Sequence, residues 1–528
     1  MLGRNNFARL MRAGAGTLAV AVVTTVLVSC TTDGTTDREC GPRDSCAAVF
    51  LPADAQSKID EVVRKNIDAG LIPGALVSVD APGRGVYTQA YGVADLATGR
   101  PMTTQDHVRI GSVTKTFTAT AILRASDEGK LSLDDLLSKY VPDVPNGHTI
   151  TLRDLLGMRG GVWDLVGDTD FAAQLVTKTP SEWHDGDRLR ALAAHPEKAK
   201  PPRTATEYSN SEYFLLGLVL EKVLGKPVHQ VLDELAQAQH LYDTSYPADA
   251  TMPTPASQGY SYFDDTATDV TSRNTPAIFG AAGSMVSTIS DLARYAPVLA
   301  EGSLITGDSL LKPDTLLARR QFTSGTAGGS PFEYGLGLQR FGPWLGHTGG
   351  VLGYTTHVAY LPAQRATVVV AVNQYTIPPT LLRITASDIW ASIVEQLYPD
   401  SLPGDQPAPP IPPVALPDSA SLATQLQQVF DTRLPAAQKT LRIAADDKDP
   451  ELITKLAKVY AGYPMTFQVD KLTDLDGTTL LATTTVSAPD GKRRMVLPFT
   501  AHDNAWHLDI SWVCESLHLG GESSPACT

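Results

Sequence analysis

Residues 402–417 read LPGDQPAPPIPPVALP, a run of prolines that lacks the backbone donors a sheet needs and favours an extended, semi-rigid conformation. No single fold can pass through it. The chain has 528 residues, enough for about three domains or for one large enzyme domain with additions. The linker, taken as 401–417, therefore separates a large body at 51–400 from a smaller one at 418–528. Hydrophobic residues make up 43% and charged residues 19%, the balance of folded protein, which excludes collagen-like, coiled-coil and low-complexity architectures.

Periodicity predicts the elements of both bodies. LPADAQSKIDEVVRKNIDAG has apolar residues at helical spacing, and ALVSVDAPGRGVYTQAYGVADLATGRPM reads as strands joined by glycine turns. TTHVAYLPAQRATVVVAVNQ is a hairpin turning at Pro362 to Arg365, and LLRITASDIWASIVEQLY is an amphipathic helix that closes the body near 400. Beyond the linker, SLATQLQQVFDTRLPAAQKTLRIAA and DPELITKLAKVYAG read as helical. MTFQVDKLTDLDGTTLLATTTVSA, RRMVLPFTA and AWHLDISWVC alternate, so the smaller body is an α+β domain with a curved antiparallel sheet.

Residues 1–29 carry Arg4, Arg9 and Arg12 and no acid, followed by the apolar stretch TLAVAVVTTVLV, too short for a comfortable membrane span and suited to an export signal. The stretch ends in Leu27-Val28-Ser29-Cys30, which resembles the bacterial lipobox. That resemblance implies acylation of Cys30, a lipidated tether over 30–50, and an exported protein held on the cell membrane facing the wall. Cys40, Cys46, Cys514 and Cys527 remain, an even number suited to an oxidising compartment, with three possible pairings; local pairs, Cys40 with Cys46 and Cys514 with Cys527, are expected. A formal charge of −14 without a Lys/Arg block argues against a nucleic-acid partner. Neither C-x-x-C nor H-E-x-x-H occurs, so no metal or cofactor is expected.

Three short segments carry chemistry. In Gly111-Ser112-Val113-Thr114-Lys115, ahead of the helical run TFTATAILRASDEG, Ser112 and Lys115 fall one turn apart on one face. The lysine can act as a base only if burial or its position at a helix start lowers its pKa. Ser309 and Lys312 repeat the spacing in a surface stretch, so the pattern alone is not diagnostic. In Glu207-Tyr208-Ser209-Asn210, a tyrosine beside an ammonium can relay protons and an asparagine can bond an acyl group. In Gly346-His347-Thr348-Gly349-Gly350, small residues let a substrate approach the backbone, where the Gly350 N–H can join that of Ser112 as an oxyanion hole.

Their order, and the text RIGSVTKTFTATAILRASDEGKLSLDDLLSKYVPD, ITLRDLLGMRGGV, YSNSEYFLLGLVLEKVLGKPV, GAAGSMVSTISDLARY and GHTGGVLGYTT, closely resemble the serine β-lactamase-like hydrolases: class C β-lactamases, D-Ala-D-Ala carboxypeptidases and related esterases. The resemblance covers about 55–400. It implies an α+β fold with an antiparallel sheet flanked by helices, an all-helical lobe, and acyl-enzyme chemistry between the two. By the same resemblance Ser112 is the nucleophile, Lys115 and Tyr208 share the acid/base work, Asn210 orients the acyl group, and His347, Thr348 and Gly349 line an edge strand. The implied substrate is a small molecule or a peptidoglycan-derived amide or ester, with a catalytically weak penicillin- or peptidoglycan-binding protein as the alternative.

Two positions depart from the family pattern. His347 stands where many members have lysine; if it anchors a substrate carboxylate, affinity falls between about pH 6 and 8 as the ring deprotonates. GMRGGV at 157–162 replaces text close to THTSGL, placing Met158 and Arg159 near the site entrance, where Arg159 is either a substitute cation or a solvated loop residue. The segment from Trp163 to Asn210 resembles that of actinobacterial secreted carboxypeptidases. The C-terminal text resembles the mycobacterial low-molecular-weight secreted antigen domain, a cone-shaped α+β module without a catalytic motif, which either binds a partner or envelope component, of unknown identity, or only spaces the enzyme from the membrane. Its Trp506 and Trp512 are read as core.

Overall fold

The computed structural model describes residues 50–168, 171, 174–175, 178–184, 186–262, 267–304, 306–327, 330–375, 384–402, 414–474, 479–489 and 491–527. The expected signal segment, Cys30, Cys40, Cys46 and most of the proline-rich linker lie outside the described residues.

In chain order the strands are β1 (Gly74–Ala81), β2 (Gly85–Asp95), β3 (Arg100–Pro101), β4 (Val108–Arg109), β5 (Tyr260–Tyr262), β6 (Ala267–Asp269), β7 (Val286–Ser287), β8 (Thr323–Ala327), β9 (Ser330–Tyr334), β10 (Gln339–Phe341), β11 (Trp344–Val351), β12 (Tyr354–Leu361) and β13 (Ala366–Val372), with β14 (Thr466–Asp474), β15 (Thr479–Ala488), β16 (Gly491–His502) and β17 (Ala505–Leu508) beyond the linker. Nine form one antiparallel sheet in the order β3-β2-β1-β13-β12-β11-β10-β9-β8. Its central strands are apolar on both faces because both are covered. On β13, Val368, Val370 and Val372 pack into one core while Val369 and Ala371 pack into the other, as the two-residue period of a strand requires. One face is closed by the helices Ala53–Asp68 and Ala386–Leu397, which bury Ile59 and Val63, and Ile389, Trp390, Ile393 and Val394. The other face meets the helical lobe.

At the centre of that lobe runs the helix Thr114–Asp127, buried nearly all round. Its threonine-rich start would suit a strand by local preference, so packing decides the conformation. Each buried hydroxyl is answered: Thr116 Oγ1 donates to the Val113 carbonyl (2.6 Å), Thr118 Oγ1 to the Ala281 carbonyl (2.7 Å) and Thr120 Oγ1 to the Thr116 carbonyl (2.7 Å).

Beyond the linker, β14-β15-β16-β17 form a four-stranded antiparallel sheet packed on helices around Leu426, Leu456, Phe499, Trp506 and Trp512. Two sequence expectations are corrected here. The first helical run stops at Phe430, ahead of Pro435, and the LRI stretch pairs instead with β17: the Leu508 N–H donates to the Arg442 carbonyl and the Ala444 N–H to the Leu508 carbonyl, both at 2.9 Å. AWHLDISWVC is strand only through Leu508; Ile510–Leu519 is a helix that buries Val513 and Leu517. A disulfide joins Cys514 of that helix to Cys527.

Candidate active site

Ser112 lies in the single 3-10 turn Gly111–Val113, which leads straight into the helix Thr114–Asp127 and so puts Lys115 beside it. Lys115 Nζ donates to Ser112 Oγ (2.9 Å), Asn210 Oδ1 (2.7 Å) and the Ala282 carbonyl (2.9 Å). All three ammonium protons are placed. Burial of the ammonium pushes its pKa down to about 7, against the attraction of Asp164, so near neutral pH a large fraction is the free amine.

Tyr208 covers this pair, with Lys115 Nζ 4.9 Å from its ring centroid. Burial raises the phenol well above its ordinary value, opposed by its hydrogen bond with Ser112, so the group keeps its proton. Two strips of backbone hold it in place. The Tyr208 N–H donates to the Thr326 carbonyl (3.0 Å) and the Thr326 N–H to the Thr206 carbonyl (3.1 Å), so the β8–β9 hairpin ties down the segment. On the other side, the Glu207 N–H donates to the Met158 carbonyl (3.0 Å) and the Ser209 N–H to Met158 Sδ (3.3 Å).

Met158 is therefore buried under the Tyr208 segment, and the expectation that it lines the entrance is corrected. Arg159 Nη2 reaches the Arg203 carbonyl at 3.5 Å. The Ser309–Lys312 repeat makes no pair: Ser309 Oγ donates to the Leu311 carbonyl, and Lys312 Nζ bonds the carbonyl of Asp127.

β11 was expected at an edge, but it is the sixth of nine strands. Only its first residues are covered on that side, because β10 pairs from Gln339 opposite Gly346 to Phe341 opposite Trp344. Beyond them Gln339 Oε1 accepts from the Thr348 N–H at 2.8 Å. By the alternation of a strand the Gly350 N–H points the same way, toward the Ser112 turn. A Cβ on Gly111 would stand 2.6 Å from the Gly350 nitrogen, and one on Gly349 would stand 3.4 Å from the Ser112 nitrogen. Ser112 and Gly350 thus present their amides at one place, and β11 is an edge only where it passes Ser112.

His347 does not behave as the sequence led us to expect. It is fully buried; its Nδ1 donates to the Thr348 carbonyl (2.6 Å), which leaves Nε2 to accept from the Tyr334 hydroxyl (2.9 Å). Burial, with Lys115 nearby, drives its pKa down to about 3. The ring is neutral throughout the physiological range and cannot be the carboxylate anchor that titrates between pH 6 and 8. An NMR titration of the imidazole is expected to show no protonation from pH 8 down to about 5; a midpoint between 6 and 8 would contradict this assignment.

Two acids escaped the sequence reading. Asp164 Oδ1 accepts the Asn210 N–H (3.0 Å) and the Val166 N–H (3.2 Å), and Asn210 Nδ2 lies 3.3 Å from both carboxylate oxygens. Asn210 is consequently engaged at both ends of its amide. Glu212 Oε1 accepts the Val162 N–H at 3.3 Å, and burial raises that carboxyl well above its ordinary value; it fastens the 160–162 turn that carries Asp164. The only local mark of Asp164 in the sequence is its place between the apolar Trp163 and Leu165.

An antiparallel sheet meeting a helical lobe at a buried Ser-x-x-Lys turn is the architecture of the β-lactamase-type serine hydrolases. Residues 59–386 match the model of the family described as Beta-lactamase, and the chain belongs to that family. Residues 415–524 match the model of the C-terminal domain of the low molecular weight antigen MTB12. The chain is similar to Protein flp of Staphylococcus aureus (strain MW2), 30% identical over 189 residues, which are 35% of this chain and 36% of flp. It thus spans about a third of the length of the curated relatives of that name. Among solved structures it resembles the D-stereospecific amidohydrolase from Streptomyces sp., with a TM-score of 0.55, 25% identity and coverage of 65% of this chain and 98% of that one. The D-amino acid amidase from Ochrobactrum anthropi SV3 shares the fold, with a TM-score of 0.57, 22% identity and coverage of 66% and 99%.

Proposed function

We propose that the protein is a lipid-anchored hydrolase of the cell envelope that opens an amide or ester through an acyl-enzyme on Ser112. The observation that carries this reading is the Lys115 amine, 2.9 Å from Ser112 Oγ and with its pKa lowered to about 7. As Oγ attacks the carbonyl carbon, the free amine of Lys115 takes its proton. The developing oxyanion is met by the N–H groups of Ser112 and Gly350. Tyr208, still a phenol, gives a proton to the leaving group and is reprotonated from Lys115, so the two act as one unit. Water then enters by the reverse path and frees Ser112.

Because His347 is buried and neutral, it offers no charge to a leaving-group carboxylate. That favours amides and esters over a C-terminal D-alanine, and the names of the two solved relatives point to amides of D-amino acids. Anchoring and export rest on Arg4, Arg9, Arg12, the apolar stretch and Leu27-Val28-Ser29-Cys30. The Cys514–Cys527 disulfide suits the oxidising side of a membrane. Among the described residues no helix is long and apolar enough to cross one.

Intact mass after incubation of the full chain with a fluorophosphonate tests the core of this reading. One label is expected on wild type and none on Ser112→Ala. A folded wild-type protein that takes no label would overturn it and favour a peptidoglycan- or β-lactam-binding protein. Unlabelled wild-type protein is then offered D-amino acid amides, D-alanyl-D-alanine peptides and penicillins, of which the amides are expected to turn over fastest.

A further inference from the structure

Among the described residues, Asp164 is the acid whose charge acts on Lys115, and it does so across a single residue. Its Oδ1 accepts the Asn210 backbone N–H at 3.0 Å, and the Asn210 side-chain amide lies 3.3 Å from both of its oxygens. With Nδ2 held on the acid side, Asn210 must present Oδ1 to Lys115 Nζ, at 2.7 Å. If that amide turned over, an N–H would face an ammonium. We infer that Asp164 is a positioning residue for acylation: through Asn210 it holds Lys115 against Ser112, and its carboxylate is the counter-charge of the ammonium.

The inference rests on the acyl-enzyme reading above and adds a residue to it. Asp164 is itself fastened, since its Oδ1 accepts the Val166 N–H at 3.2 Å. The turn just before it is held by the buried Glu212. Enclosure holds the Asp164 carboxyl above its ordinary value, against the Asn210 amides, Lys115 and the Val166 N–H, which favour the carboxylate. Other titratable or charged groups around Lys115 are Tyr208 and Tyr213, whose ring centroids lie 4.9 and 5.8 Å from Nζ, and the neutral His347. Beneath the helix, Arg319 donates to the Thr116 carbonyl (3.4 Å) and Thr120 Oγ1 (3.1 Å). None of these offers a carboxylate.

Removing a negative charge beside an ammonium disfavours the charged form, so the Lys115 amine becomes free at lower pH. The rate of fluorophosphonate labelling of the full chain, measured from pH 5 to 10, reads this directly. In Asp164→Asn the new Oδ1 can still accept backbone N–H groups, but its Nδ2 would face the Nδ2 of Asn210, donor to donor. The acid limb of the profile is expected to move down by about one pH unit, and the plateau to fall by about tenfold from misplacement of Lys115. Asp164→Ala is expected to show the same shift with a plateau lower by about a hundredfold. Asp164→Glu restores the charge with the wrong reach, so its limb returns toward wild type while its plateau stays low.

Melting curves identify a variant that has not folded, in which case the remaining two decide. A limb in Asp164→Asn that superimposes on wild type, or a plateau unchanged in every folded variant, overturns the inference. Wild type that takes no label strikes at the acyl-enzyme reading instead.

Discussion

Replacing Lys115 by methionine is expected to slow fluorophosphonate labelling of Ser112 by roughly a thousandfold, within the range a positioned general base supplies. Lys115→Arg is expected to do the same although it keeps the charge, because a guanidinium does not give up its proton in a protein; the pair of variants separates base from countercharge. Stability should change far less than rate. The methionine variant leaves Asn210 Oδ1 and the Ala282 carbonyl without the Lys115 donor, at a cost of about 1 kcal/mol each, but it removes a cation that is unfavourable to bury. The sign of that last term follows from the lowered pKa of about 7, against about 10.4 in the unfolded chain. Between these values the unfolded chain binds more protons than the folded one, so this group adds stability as pH rises from about 7 to 10 and takes it away as pH falls. Urea midpoints at pH 6 and pH 9 should therefore differ more for wild type than for the methionine variant. In wild type the labelling rate should climb through about pH 7, where the amine loses its proton. Labelling of Lys115→Met within tenfold of wild type would show that Lys115 is not the base.

What the sequence could and could not convey follows from the range of the interactions. Ser112 and Lys115 are three residues apart, and the turn of a helix alone brings them together. Tyr208, His347 and Gly350 were legible only through order and family text, since nothing local says that segments 95 and more residues away converge on one serine. Asp164 was missed for that reason: its effect passes through Asn210, 46 residues on. The error at His347 is of another kind. Its reference pKa assumes solvent, whereas the ring lies under Tyr208 and Tyr334, and enclosure is a property of the packed sheet and not of Gly-His-Thr-Gly. In the C-terminal domain, Trp506, Leu508, Ile510 and Trp512 alternate as a strand would, yet Trp512, Val513 and Leu517 also share a helical face. The Trp512 N–H finds Asp509 Oδ1 at 3.4 Å near the helix start, and tertiary contacts choose between the two periods.

Gly349→Ala is expected to destabilise the protein by about 3 kcal/mol, near the upper end for overpacking, and to cut Ser112 labelling at least about a hundredfold, whereas the same change at Gly350 should be mild. The two glycines are adjacent and the sequence does not distinguish them. A Cβ on Gly349 would overlap the carbonyl oxygen of Ile110, which is backbone in a buried turn and cannot step aside. The requirement is space, because Gly349 sits in ordinary extended strand; Gly111, at φ +51°, needs glycine for its conformation as well. A Cβ on Gly350 would meet Cε1 of the Tyr375 ring at 3.0 Å, and a side chain can shift by the few tenths of an ångström required. The contact at Ile110 is what lays β11 along the Ser112 turn and brings the two amides to one place. Pushing it apart opens the oxyanion pocket without touching Ser112, Lys115 or Tyr208, so the Gly349→Ala variant should keep the pH dependence of wild type at a much lower rate. Labelling profiles of the two alanine variants, measured beside their urea midpoints, check this. Equal losses in both would mean that the strand tolerates displacement and that the pocket is set elsewhere.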